Sequence, residues 1–334
     1  MIPFSILDLS TVAEGSTIPE SLENTRQMAI RAEELGYHRY WLAEHHGMPA
    51  VASAATAILI GHVGAATSRI RIGSGGIMLP NHAPLVIAEQ FGTLASLFPG
   101  RVDLGLGRAP GTDMRTARAL RRDLEAGPNG YPDDVRELQS YFADPTDHTT
   151  VLAVPGYGTH VPLWILGSSH YSAHLAGMLG LPYAFASHFA PDSLFEALQI
   201  YRERFQPSAQ LDKPYVMVGV MGVIAETDEE AAYHFTSSQQ QFVNLRRNVR
   251  GPFPRPVKSM DGIWNEMERA GVEHALSYAI VGSPATASEQ ISRFLEATEA
   301  DELVISTPIH DFDARIRSIE NFANLGGLLS SSVA

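Results

Sequence analysis

Side chains that can move protons or bind anions stand at the ends of several β-rich segments. Glu44-His45-His46 ends one such segment, Arg108 ends another, and Ser168-Ser169 follows a third. An imidazole exchanges protons near neutral pH, which suits general acid–base catalysis. A guanidinium and the hydroxyl groups at a helix start bind phosphate groups. The pattern therefore indicates a site for proton transfer beside a site for an anion.

The anion site is predicted around Ser169 and Ser172, which are one turn apart at the start of a helix-like segment. Free N–H groups at a helix start attract negative charge, and Arg108 at a neighbouring strand end would add bidentate hydrogen bonds. The alternative is that Ser169 caps the helix without any ligand and that Arg108 lies on the surface, since serine is a common N-cap residue.

A second interpretation of the histidines is a metal-dependent barrel hydrolase. His45 and His46, together with Asp8, His82 or His188, could form a ligand shell at the strand ends. The sequence contains no HExxH motif, and the adjacent histidines are not spaced as ligands on one helix face. A purely structural hydrogen-bonding role is the simpler alternative for the pair.

The composition excludes several other chemistries. The 334 residues include no cysteine, so disulfides, thiolate metal sites and cysteine nucleophiles are excluded, and redox chemistry needs a bound cofactor. The formal net charge of −13 disfavours nucleic-acid and anionic-membrane partners. There is no G-x-S-x-G motif, and Gly105-x-Gly107-x-x-Pro110 lacks the third glycine of a dinucleotide fingerprint. With no targeting or membrane segment visible, we expect a cytoplasmic protein.

The elements that must position these side chains alternate along the chain. Eight β-rich segments, most of them continuously apolar, alternate with helical stretches, as in a parallel sheet covered on both faces. Eight β/α units predict a single (β/α)8 TIM-barrel domain over 1–334, with functional residues at the carboxyl ends of the strands. The predicted strands are 3–9, 38–43, 70–75, 102–107, 162–167, 183–187, 215–224 and 302–306.

Two insertions interrupt the alternation. The first, at about 109–155, follows the fourth strand and contains a helix rich in arginine (Arg115, Arg118, Arg121 and Arg122). The second, at about 246–260, follows the seventh strand and is rich in proline and positive charge. We interpret the second insertion as a mobile lid, with a solvated connector as the alternative.

Several of these motifs together resemble the bacterial luciferase-like flavin monooxygenases. The resemblance is carried by Trp41-Leu42-Ala43-Glu44-His45-His46 and by the run from Gly73 to Pro84, which contains Gly-Gly-Ile-Met-Leu-Pro. Leu104 to Arg108, Leu166 to Ser172 and Gly282-Ser283-Pro284 continue it, so that it covers essentially the whole chain. The family fold is a (β/α)8 barrel that binds FMN, or in one branch the deazaflavin F420, at the carboxyl rim.

The resemblance also implies roles for individual residues. Gly75-Gly76 would form a non-prolyl cis peptide under the flavin ring, and Arg108, Ser169 and Ser172 would hold the flavin phosphate. His45 would be the catalytic imidazole. The full cofactor-binding set implied at the rim is Gly75, Gly76, His82, Arg108, Ser168, Ser169 and Ser172.

The chemistry that the resemblance implies is oxygenation of a small organic substrate by O2 and reduced FMN, through a flavin C4a-hydroperoxide. Because the chain lacks a dinucleotide fingerprint, a separate flavin reductase would supply the reduced FMN. The relatives are typically dimers, so a homodimer is expected. An F420-dependent dehydrogenase, the metal-dependent hydrolase and a flavin-binding protein without turnover remain the alternatives.

Overall fold

A computed structural model describes residues 2–109, 111, 114–120 and 130–327. Its centre is a closed barrel of eight parallel strands in which each strand pairs with the next one along the chain and the last pairs with the first. The barrel strands are β1 (Phe4–Asp8), β2 (Arg39–Leu42), β3 (Arg71–Met78), β4 (Val102–Gly107), β5 (Leu163–Gly167), β6 (Tyr183–Phe185), β7 (Val216–Ile224) and β9 (Glu302–Ser306). All eight predicted strands are present, and the TIM-barrel prediction is confirmed.

A ninth strand, β8 (Ile280–Gly282), lies outside the barrel and pairs with the far end of β7. The sequence analysis did not predict it, because a strand outside the barrel does not follow the alternation of barrel strands and helices. The helices are α1 (Ile18–Glu34), α2 (Thr56–Ala66), α3 (Pro84–Leu97), α4 (Met114–Leu120), α5 (Tyr131–Phe142), α6 (His170–Leu179), α7 (Leu194–Arg204), α8 (Asp228–Arg246), α9 (Glu266–Ala275), α10 (Pro284–Thr298) and α11 (Phe312–Leu325). Within these described ranges, no helix is both long enough and apolar enough to span a lipid bilayer.

The amino-terminal end of the barrel is closed by buried charges. Arg39 donates to Asp103 at 2.5 Å and to Glu302 at 3.0 Å, and Arg71 donates to Asp103 as well. The Ser5 hydroxyl also binds Glu302. Because these residues stand at or near the first positions of their strands, the network forms a barrel floor opposite the end where the predicted site lies.

The two insertions have different structures. The first contains α4 and α5, while Arg121 and Arg122 of its predicted helix lie outside the described residues. In the second, Phe253 is buried, its N–H donates to the Val12 carbonyl, and its carbonyl accepts from Glu14 N–H, both at 2.8 Å. The middle of this insertion is therefore fixed to the connection between β1 and α1, and the solvated-connector alternative is wrong for Phe253. The lid remains a prediction.

Candidate active site

The connection that follows β2 is organised by a buried carboxylate. Glu44 is 1% exposed, and its Oε1 accepts hydrogen bonds from His46 Nε2 at 2.7 Å and from His82 Nε2 at 2.8 Å. Its Oε2 accepts from the Met78 backbone N–H at 3.0 Å. One side chain thereby ties the end of β2 to the end of β3 and to the turn that precedes α3.

Glu44 remains ionised in this setting. Burial alone would raise the pKa of its carboxyl group, but the hydrogen bonds from His82, His46 and the Met78 N–H outweigh burial and lower the pKa. The arrangement leaves His45, the residue between Glu44 and His46, on a backbone that both neighbours hold in place.

His45 and His188 are two shielded imidazoles at the rim. The Nδ1 atom of each is buried and has no hydrogen-bond partner in the described part of the chain. Burial lowers the pKa of both rings, and burial together with the nearby His45 lowers the pKa of His188 to about 4. Both imidazoles are therefore neutral at pH 7, and each can either donate or accept one hydrogen bond at a ring nitrogen.

The end of β3 carries an irregular backbone. The peptide bond between Gly75 and Gly76 is cis, as the resemblance implies. Pairing with β4 is regular at Ser74 and resumes at Ile77, so that Gly75 and Gly76 bulge out of the ladder. A Cβ atom at position 76 would lie 2.6 Å from the Gly105 carbonyl oxygen, which explains glycine there.

The predicted anion site is assembled from the ends of β4 and β5. Ser169 is the N-cap of α6, yet its side chain caps no backbone N–H group, so the first N–H groups of the helix have no partner within it. The guanidinium carbon of Arg108 lies 4.2 Å from the ring centre of Tyr171, in the first turn of α6. The Ser172 hydroxyl lies 3.4 Å from that of Ser169. Arg108 therefore lies against the first turn of α6, the turn whose start carries Ser169 and Ser172.

The remaining predicted cofactor residues occupy separate positions. Ser168 is half-buried in the turn between β5 and α6, directly before the anion site. His82 is bound to Glu44, in the connection between β3 and α3. These residues therefore fall into two groups. One lies around Glu44 at the ends of β2 and β3, and the other lies at the start of α6, at the ends of β4 and β5.

The metal interpretation loses its acidic ligand. Asp8 is fully buried and accepts from Arg315 at 2.7 Å, from Tyr40 at 2.6 Å and from Thr25 at 2.8 Å. Burial raises the pKa of Asp8, but Arg315 and these hydrogen bonds outweigh burial and lower it. Across residues 2–109, 111, 114–120 and 130–327, no group of three or more His, Asp or Glu side chains is arranged so that it could hold a metal ion.

Sequence reasoning missed two residues that hold the site from behind. The motif Glu44-His45-His46 predicts no role for Glu44 itself, although a carboxylate directly before two histidines indicates a hydrogen-bonded cluster. Tyr183, buried on β6, places its hydroxyl 3.0 Å from Ser172 Oγ. Nothing in the sequence indicates that contact, because it joins residues on different elements that only the fold brings together.

A closed parallel barrel with its polar groups gathered at the carboxyl rim is the architecture of TIM-barrel enzymes. Within that class, the chain belongs to the luciferase-like monooxygenase family, whose family profile matches residues 2–302. A luciferase-like monooxygenase of Escherichia coli (strain K12) is 52% identical over 321 residues, which are 96% of this chain and 95% of that one. An N-acetyl-S-alkylcysteine monooxygenase of Bacillus subtilis (strain 168) is 30% identical, over 92% of this chain and 93% of that one.

Solved structures share the fold. The crystal structure of apo-MsnO8 matches with a TM-score of 0.87 and 32% identity, over 98% of this chain and 99% of that one. The oxygenating constituent of 3,6-diketocamphane monooxygenase from Pseudomonas putida, in complex with FMN, shares the fold with a TM-score of 0.72 and 18% identity, over 96% and 97% of the two chains. An F420-dependent secondary alcohol dehydrogenase shares it with a TM-score of 0.66 and 16% identity, over 98% and 99% of the two chains.

Proposed function

We propose that this protein is a flavin-dependent monooxygenase that uses reduced FMN and O2 to oxygenate a small organic molecule. The observation that carries the proposal is the start of α6, where uncapped N–H groups and two serine hydroxyls stand in the turn whose Tyr171 ring stacks against Arg108. The chain has a formal net charge of −13, so its overall field repels a phosphate. A concentrated local donor set of this kind fits a dianionic phosphate.

The residues at the rim fit FMN in two parts. Arg108, Ser169 and Ser172 would hold the phosphate, and the bulged Gly75-Gly76 backbone would face the flavin ring, where the absence of side chains allows close approach. When bound, reduced FMN supplies the two electrons with which O2 becomes an oxygen donor.

His45 would hold or move the proton that oxygen transfer requires. Its imidazole is neutral at pH 7, because burial lowers its pKa, and the shielded Nδ1 atom lies out of contact with water. A neutral ring can donate a hydrogen bond to a reacting oxygen and later accept a proton from it. The same shielding limits the entry of water, which would reduce side reactions of water with the reactive oxygen species.

The proposal includes a separate flavin reductase and a second copy of the chain. No complete dinucleotide fingerprint is present in the sequence, which supports reduction of FMN elsewhere. The neighbouring helices α2 and α3 expose Ile58 (74%), Leu97 (64%) and Val86. Exposed apolar side chains on two adjacent helices support a homodimer contact there. In light scattering, Ile58→Glu is expected to convert a dimer to a monomer.

Titration with FMN, riboflavin and F420 tests the cofactor. We expect FMN to bind more tightly than riboflavin and F420, and Arg108→Ala to weaken FMN binding about 10- to 100-fold, since a hydrogen bond to a charged group contributes about 1.5–3 kcal/mol. Arg293→Ala is the matched control, because Arg293 is exposed on α10 and forms an ion pair with Glu289 at 2.9 Å. Tighter binding of F420 than of FMN would instead favour the dehydrogenase alternative.

A second experiment tests oxygenation. The protein is supplied with FMN, NADH, a flavin reductase and ¹⁸O2, and N-acetyl-S-alkylcysteines are the first substrates to offer, because the relative from Bacillus subtilis is named for them. One ¹⁸O atom in the product supports the proposal. Tight FMN binding without labelled product from a broad panel of thioethers, ketones and aldehydes would favour a flavin-binding protein without turnover.

A further inference from the structure

We propose that Tyr183 is a positioning residue of the phosphate site, which takes over a hydrogen bond from Ser172 when Ser172 turns its proton toward a bound phosphate. This inference rests on the proposed function, since it assumes a phosphate at the start of α6. It concerns a hydroxyl that would not itself touch the ligand.

The three groups involved lie within hydrogen-bond distance of one another. Ser172 Oγ donates to the Ser169 carbonyl oxygen at 2.8 Å. The Tyr183 hydroxyl lies 3.0 Å from Ser172 Oγ and 3.4 Å from the same carbonyl oxygen. The space for this triangle is kept open by Gly167, where a Cβ atom would lie 2.3 Å from Ser172 Oγ.

Counting protons shows what the triangle allows. A serine hydroxyl has a single proton, so Ser172 cannot donate to the Ser169 carbonyl and to a phosphate at the same time. The carbonyl oxygen has two lone pairs, and the Ala173 N–H uses one of them at 3.3 Å. If Ser172 turns toward a phosphate, the second lone pair is left to the Tyr183 hydroxyl, which is already in reach.

Tyr183 is suited to donate a hydrogen bond within the triangle because of its burial and packing. The residue is fully buried, and its ring packs against Tyr201 with 5.3 Å between ring centres and edge-on against Phe185 at 6.3 Å. Burial raises the pKa of the Tyr183 hydroxyl far above its ordinary value, and this effect outweighs the lowering by the hydrogen bond with Ser172. The hydroxyl therefore keeps its proton near pH 7. The hydroxyl therefore moves between two acceptors, Ser172 Oγ and the Ser169 carbonyl, without a change of charge.

The test compares the affinities for FMN and riboflavin, which differ by the phosphate. Tyr183→Phe is expected to weaken FMN binding about three- to tenfold, as one neutral hydrogen bond is lost, and to leave riboflavin binding unchanged within about twofold. In a Ser172→Ala background, the same substitution is expected to have no further effect on FMN binding. A merely structural role would weaken both ligands alike.

Tyr201→Phe is the matched control. Its hydroxyl is also buried, but it binds the Leu181 carbonyl at 2.9 Å and the Tyr215 N–H at 3.1 Å and does not contact the triangle. Equal losses for FMN and riboflavin in Tyr183→Phe, no loss for either, or additive losses in the double variant would each overturn the inference. If the wild-type chain binds FMN no more tightly than riboflavin, the proposed function fails, and the role of Tyr183 fails with it.

Discussion

Replacing Glu44 by glutamine tests whether one buried carboxylate holds the rim together. The carboxylate accepts three hydrogen bonds, two of them at Oε1 from His46 and His82 and one at Oε2 from the Met78 N–H. Glutamine has nearly the same shape but carries an NH2 group in place of one oxygen. Whichever way the amide is turned, at least one of the three donors then faces another donor.

The magnitude follows from the kind of hydrogen bond that is lost. With the amide oxygen toward the two imidazoles, the bond from Met78 N–H to a charged acceptor is lost, which costs about 1.5–3 kcal/mol. With the amide turned over, His46 and His82 must change tautomer to accept from it. We therefore expect Glu44→Gln to lower the free energy of unfolding by about 2 kcal/mol at pH 7.

The assay is urea denaturation of wild type and variant from pH 7 down to pH 4. The pKa of Glu44 is lowered in the folded state, so its contribution is complete above its ordinary value of 4.5 and decreases as the pH falls below it toward the folded-state pKa. The difference between the two proteins should shrink over that interval. Glu289→Gln, at an exposed pair with Arg293, is the control and should cost under about 0.5 kcal/mol. A difference in the free energy of unfolding below about 0.5 kcal/mol between wild type and Glu44→Gln would contradict this prediction. So would a difference that does not depend on pH.

Three further predictions concern other parts of the chain. Arg39→Met takes from the buried Glu302 its salt bridge with Arg39, while Asp103 keeps the one with Arg71. Urea denaturation should therefore show a loss of about 3–5 kcal/mol in the free energy of unfolding, and a loss under about 1 kcal/mol would contradict this. His45 should titrate below its ordinary pKa of 6.5, because burial lowers its pKa. An NMR titration measures the midpoint, with His45→Asn used to assign the His45 signal, and a midpoint at or above 6.5 would show that burial does not dominate. Gly76→Ala should lower the free energy of unfolding by about 1–3 kcal/mol, since the new Cβ would lie 2.6 Å from the Gly105 carbonyl oxygen. Gly251→Ala has open space around it and should leave the stability unchanged, and equal effects of the two variants in urea denaturation would contradict the prediction.

The barrel could be predicted because its signals are local. Most barrel strands are short apolar runs. Helix starts have capping residues that the sequence also shows, such as Thr17, whose side chain accepts from the Glu20 N–H in a capping box. The position of the site at the carboxyl rim followed from the topology alone. Strand β8 was not predicted because it lies outside the barrel, where the alternation of strands and helices gives no expectation for it.

The site could be predicted only as far as its residues belong to motifs. Arg108, Ser169 and Ser172 follow adjacent strands, so topology brings them together without further information. The partners of Glu44 could not be assigned in this way, because His82 reaches it through the turn after β3, whose path depends on the bulge at Gly75-Gly76. Nor could the sequence show that Phe253 would be buried against the β1–α1 connection.

The two groups at the rim share one physical design. In each, the side chains available to a ligand are held from behind by a buried group whose charge state does not change near pH 7, Glu44 behind the imidazoles and Tyr183 behind the serines. A group held in this way loses little conformational freedom when a ligand arrives, so more of the interaction energy appears as binding. The same design would let an acidic chain hold the proposed phosphate, because donors that are oriented in advance act at short range against the unfavourable overall field. Substitutions at Glu44 and Tyr183 should therefore affect ligand binding although neither side chain touches the ligand.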